Sequence, residues 1–155
     1  MKWKFAFLFS LISFITFDKW WYALVVDGTD EFLYGFPLPY TCRGFHTSMS
    51  EQFFLIEFLI DFALCFLFWV TVVLAITRLN LNCTERIQKI ALTVISIPTI
   101  IVAGISMLYL LNPDNLFYFK RPFNIEIMET GYKFVWNTMA RPDYFKYHPE
   151  QKPRK

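Results

Sequence analysis

The sequence predicts an all-α membrane protein of three transmembrane helices, with an aromatic-rich outer loop and a C-terminal tail in which a short β-hairpin is expected. Three observations lead there. Hydrophobic residues make up 55% of the 155 positions and the mean hydropathy is +0.36, which points away from a soluble fold. Three stretches are apolar for about the ~20 residues that a helix needs to cross a hydrocarbon layer of ~30 Å. Nineteen phenylalanines against five glycines favour helices with aromatic interfacial belts over a barrel, whose strands would alternate in polarity over ~10 residues between turn signals.

The first span covers residues 5–26. Lys2 and Lys4 followed by an apolar run resemble a signal peptide, but no small-x-small cleavage pattern follows, so the segment is read as a retained span. Asp18-Lys19 interrupts it, and Trp20, Trp21 and Tyr22 look like a headgroup-level belt, so its outer end falls as early as Trp21. The loop from Asp27 to Glu51 holds the turn formers Asp27-Gly28 and Pro37-Leu38-Pro39. Phe32, Leu33, Tyr34, Phe36 and Tyr40 make it more apolar than a free loop, placing it on the bilayer surface or against the tail.

The second span covers 52–76. Ser48 and Glu51 are spaced as a capping box for its start. The third span, 90–111, contains Pro98, which should kink it. Ser96, Thr99, Ala103 and Ser106 share one of its faces, suited to close helix packing within the chain or against a partner. Asn112-Pro113-Asp114-Asn115 stops it. Residues 1–115 thus form the three-span bundle and 116–155 an interfacial tail. In the tail, alternation around Thr130-Gly131 predicts a β-hairpin, with an amphipathic surface helix as the competitor, and the last residues are read as disordered.

Lysines and arginines set the orientation. Lys2, Lys4, Arg78, Arg86 and Lys89 flank one side; the first loop offers only Arg43 among Asp27, Asp30, Glu31 and Glu51. The N-terminus is therefore expected inside, although Lys120 and Arg121 lie on the outer side by this reading.

Within the second span, Glu57 and Asp61 stand four residues apart and share a helix face. With the span centred, Asp61 lies ~5 Å and Glu57 ~10 Å outward of the midplane at ~1.5 Å per residue. Charge at that depth costs ~2.5–3.5 kcal/mol on insertion scales, so such side chains face the bundle interior and find partners. Lys19, at a similar depth on the first span, is the expected ion-pair partner. Asp18, Lys19, Glu57 and Asp61 then form a polar cluster that fixes the bundle register, with Thr71 deeper in. The acidic excess also suits a proton or cation passage, or a docking point for a positive group.

Other chemistry is thinner. Cys42, His46, Ser48 and Ser50 in the outer loop have the residue types of a Cys-His or Ser-His nucleophile and base, but an unrestrained loop need not bring them together and no glycine-rich elbow surrounds a serine. Asp27, Asp30 and Glu31 lack the spacing of a calcium loop. Asn82-Cys83-Thr84 is a glycosylation sequon in a loop placed inside and is read as unused. Cys42, Cys65 and Cys83 form neither a disulfide framework nor a zinc site. A net charge of +2 without a basic stripe excludes nucleic acid as partner. No cofactor or metal is implied.

Gly35-Phe36-Pro37-Leu38-Pro39-Tyr40, leading through His46-Thr47-Ser48 into a helix carrying Glu57 and Asp61, resembles small uncharacterised multi-pass membrane proteins of bacteria, of the Bacteroidetes type. The resemblance covers about a fifth of the chain. It implies a bacterial cytoplasmic-membrane protein and brings no activity, cofactor or catalytic residue. The expectation is a non-enzymatic accessory or structural subunit, partnered by lipid and by another membrane protein or its own copies. A proton- or cation-coupled transport component using Glu57 and Asp61 is the alternative.

Overall fold

The first apolar stretch is not one helix. In the computed structural model, which describes residues 2–25, 30–45, 47, 49–78, 85–137 and 142–149, helix α1 (Lys2–Thr16) passes without a linker into strand β1 (Phe17–Val25). Phe17, Trp20, Trp21, Tyr22 and Val25 belong to the aromatic and β-branched types that fit a pleated, half-buried surface. Hydropathy alone does not separate such a strand from the end of a span. At ~1.5 Å per residue α1 is only ~22 Å long, short of the hydrocarbon thickness.

β1 opens a six-stranded sheet, so the structure is mixed α/β and the all-α expectation is corrected. The other strands are β2 (Glu31–Tyr34), β3 (Thr41–Arg43), β4 (Glu51–Phe54), β5 (Leu116–Tyr118) and β6 (Ile125–Phe134), in the spatial order β5-β4-β3-β2-β1-β6. The first four form an antiparallel meander. β4 runs straight into helix α2 (Leu55–Arg78), and α3 (Glu85–Leu110) brings the chain back to β5, parallel to β4. The chain then crosses to the far edge, where β6 pairs antiparallel with β1 from Phe17 opposite Phe134 to Val25 opposite Ile125.

Three expectations about element boundaries change with this sheet. The second helix starts at Leu55, because Glu51–Phe54 pairs with β3 and β5. That removes Glu51 from any capping box; Ser48 lies outside the described residues. The tail holds no hairpin at Thr130-Gly131, since Ile125–Phe134 is one strand. Gly131 stays extended because its partner Trp20 covers it: a Cβ there would lie 2.5 Å from the indole ring. The strand ladder, set by β1, overrides the local turn signal.

The core of the sheet is Ala23, Leu33, Cys42 and Phe54, all fully buried, with Trp21, Tyr118, Phe123 and Ile125 packed on them. Among the helices, α1 packs against both α2 and α3, which make no comparable contact with each other. Its fully buried Ala6 and Ser10 permit close approach, as does buried Thr99 from the small-residue face of α3. Ser10 and Thr99 return their hydroxyls to carbonyls of their own helices, at 2.6 and 2.7 Å, which leaves the contacts apolar. Asn115 closes α3 by donating to Tyr109 O at 2.9 Å, and its Oδ1 accepts from the Glu51 amide at 3.0 Å. The helix stop read at Asn112-Pro113-Asp114-Asn115 is where α3 ends.

Two described helices, α2 and α3, are long and apolar enough to cross a membrane. Their most apolar windows have mean hydropathies of 2.6 and 2.2, and only 6% of each is buried within the chain.

The Trp20–Gly131 contact is directly testable. Gly131→Val should destabilise the purified protein by ~1–3 kcal/mol through overpacking. Adding Trp20→Ala should relieve part of that loss in thermal unfolding. Strictly additive effects of the two substitutions would show that the ring does not occupy this space.

Candidate functional site

The loop between β2 and β3, Gly35 to Tyr40, lies where the sheet meets the helices. Pro37 and Pro39 carry no amide hydrogen, which leaves four backbone donors to satisfy. Gly35 N donates to Lys19 O at 3.0 Å, and Tyr40 N closes the loop on Tyr34 O at 2.9 Å. The Leu38 amide forks between both Asp61 carboxyl oxygens at 3.0 and 3.2 Å, with the Phe36 backbone beside the same carboxyl.

Asp61 is fully buried, and its partner is loop backbone. The expected ion pair is not formed: among the described residues no salt bridge links Lys19 to Glu57 or Asp61. Because β1 is a strand, Lys19 projects along the sheet and its Nζ sits 3.5 Å above the Trp21 ring. Thr71 is also outside the cluster, its hydroxyl bonded to Leu67 O.

Gly35 has φ +144°, and a Cβ there would meet Leu38 O at 2.1 Å, so the loop requires glycine. Its carbonyl accepts from Trp21 Nε1 at 3.0 Å. At the other end Tyr40 O accepts from Phe54 N at 2.8 Å. The Tyr40 ring stacks on Phe14 of α1 and meets Phe58 of α2 edge-on. Burial, then the nearby Asp18 and Asp61, push the Tyr40 hydroxyl pKa upward.

Asp18 stands opposite Lys133 across the β1–β6 ladder. Burial raises its pKa to about 7; Lys133 lowers it and Asp61 raises it further, so the two carboxyls feel each other across the junction. Burial depresses the Lys133 pKa, against the pull of Asp18 and Glu51, and its ammonium lies 3.8 Å over the Tyr34 ring. Glu57, one turn before Asp61, has a buried Oε2 with no hydrogen-bond partner. The structure thus brings Asp18, Glu57 and Asp61 to one junction and sends Lys19 elsewhere.

Matched against protein-family models, curated proteins and solved structures, the chain finds no counterpart. The site therefore rests on its own geometry. Three carboxyls, one with an unpartnered oxygen, can hold and exchange protons. No group of three or more His, Cys, Asp or Glu among the described residues is arranged to hold a metal ion.

The outer-loop pair has no such standing. Cys42 is fully buried, and burial lifts its thiol pKa to about 12, the reverse of what a nucleophilic thiolate needs. His46 lies outside the described residues, as do Asp27 and Asn82-Cys83-Thr84.

A second polar assembly gave no signal in the sequence, since its members come from opposite ends of the chain. Asp30 Oδ2 accepts from Tyr22 OH at 2.8 Å and lies 2.7 Å from His148 Nε2. Beside it Tyr147 OH bonds to Glu129 and its ring packs on Tyr22, so the short helix α4 (Tyr144–Tyr147) is clasped onto β1 and β6.

Two outcomes follow for the junction. Asp61→Ala leaves the Leu38 amide without its acceptor and should cost ~1–3 kcal/mol, whereas Asp61→Asn keeps one oxygen and should cost less; equal losses in thermal unfolding would contradict this. The second concerns pH. Unfolded, Asp18 releases its proton near 3.8; folded, near 7. Between those values the folded chain retains a proton that the unfolded chain has lost, so this group's contribution to stability falls as pH rises and is flat above the window. Asp18→Asn should flatten the fall, and an unchanged stability profile in the variant would refute the assignment.

Proposed function

We propose that the chain is an integral membrane protein that carries its sheet on two spans and serves as a non-enzymatic accessory or structural subunit of a membrane assembly. One observation carries the reading. α2 and α3 are strongly apolar, yet only 6% of the residues in each apolar window are buried by the chain itself, where the core helix of a soluble protein would be mostly buried. Leu59, Leu67, Phe68, Ile100, Ile105 and Leu108 are all more than half exposed, a surface far larger than soluble monomers leave to water.

The distribution of charge supports the same placement. Lys2, Lys4, Arg78, Arg86 and Lys89 gather at the helix end remote from the sheet, as expected of the cytoplasmic side. At the sheet end, Phe17, Phe36, Tyr132 and Phe134 form one aromatic group, with Trp136 stacked on Phe134. Such rings suit the headgroup layer. β6 is moreover an edge strand, with Ile127, Tyr132 and Phe134 exposed, and an uncovered edge is a place where another chain can pair.

Glu57 favours a second reading. A buried carboxyl oxygen without a partner, near Asp61 and Asp18, is what a proton-coupled transport component would use. Asp61 itself favours the structural role, because its oxygens already hold the loop.

The protein should stay in the membrane pellet after alkaline carbonate extraction and crosslink to a neighbour in native membranes. Release into the supernatant would sink the membrane reading, and a lone uncrosslinked monomer the subunit reading. Proton flux into liposomes that vanishes in Glu57→Gln would move the assignment to transport.

A further inference from the structure

Between α1 and α3, at the cationic end, lies an open groove of about 480 Å³, within the ~300–1,000 Å³ range of small-molecule sites. Phe7 and Leu8 form one wall and Leu92 the other, with Trp3 and Lys4 at the mouth. Thr93 and Ser96 also line it, but their hydroxyls bond to Lys89 O and Thr93 O of their own helix, at 3.1 and 2.9 Å. The walls therefore offer an occupant contact surface and no free polar anchor.

Charge decides the occupant. Lys4 lines the groove, and Lys89 precedes Leu92 and Thr93 by three and four positions, on the same face of α3. α1 and α3 both lead toward the sheet, so their N-terminal ends, with the positive poles of their dipoles, lie together at the mouth. Lys2 and Arg86 are exposed beside them. An apolar slot opening on a cluster of cations matches a molecule with a hydrocarbon chain and an anionic head.

We propose that this groove seats an acyl chain of an anionic phospholipid, its phosphate held by Lys4 and Lys89. The proposal rests on the membrane reading above. A lipid bound there would fill the open space between α1 and α3, completing the helix layer.

The test uses the full-length protein, purified in mild detergent, stripped of lipid and offered phosphatidylglycerol or phosphatidylcholine, with bound lipid read by native mass spectrometry. Phosphatidylglycerol should be retained over phosphatidylcholine. Lys4→Gln with Lys89→Gln, both on exposed positions, should weaken that retention about 25-fold, from roughly fivefold for each lysine. Ser96→Trp, which fills the slot, should displace the lipid while leaving both lysines in place. Equal retention of the two lipids, or retention untouched by the lysine pair, overturns the proposal. Displacement by glycerol phosphate as readily as by whole lipid overturns it too, because the chain would then contribute nothing. Carbonate resistance in the same preparation separates the two claims: a resistant protein without lipid preference loses only the groove, and an extracted one loses the membrane reading.

Discussion

The structure depends on where the amide hydrogens of one loop go. Two prolines in Gly35 to Tyr40 remove donors, and those of Gly35 and Tyr40 stay within the β1–β3 region. That of Leu38 goes to Asp61, with the Phe36 backbone beside the same carboxyl. A buried amide without an acceptor costs ~1–3 kcal/mol, so the carboxyl is the reason that this tight, proline-rich connection can pack against α2. The same bonds satisfy the acid, which on an apolar helix would otherwise be the more expensive group.

Sheet and helices consequently form one unit. α1 enters β1 and β4 enters α2 without linkers, and the loop adds a noncovalent tie between them, with Tyr40 packed on Phe14 and Phe58. Asp18 and Glu57 reach the same junction from β1 and α2. The burial of Asp18 follows from this joining of layers, and it couples the protonation of that carboxyl to stability.

Local patterns in the sequence identify part of this. The apolar runs of α2 and α3, the stop after α3 and the shared face of Glu57 and Asp61 are all properties of contiguous residues. The sheet is not. Strands β2 to β5 have three or four residues, β4 and β5 are neighbours only after a two-helix excursion, and β1 finds β6 a hundred or more positions away. β1 itself is apolar and aromatic enough to extend a span. Reading it as helix put Lys19 at the depth of Asp61; as a strand it sends Lys19 to Trp21 and leaves Asp18 facing Lys133. Gly35-Phe36-Pro37-Leu38-Pro39-Tyr40 was recognisable as a turn-forming motif, and Asp61 as a group in need of a partner. Nothing in their spacing, 23 residues between Leu38 and Asp61, joins one to the other.

Amide hydrogen exchange at Leu38 tests the central claim most directly. In the native protein this amide should exchange slowly. In Asp61→Ala it should become fast while the amides of the β1–β6 ladder stay protected, because only the loop has lost its acceptor. A Leu38 amide that exchanges equally slowly in both proteins, with the ladder intact, would contradict the account.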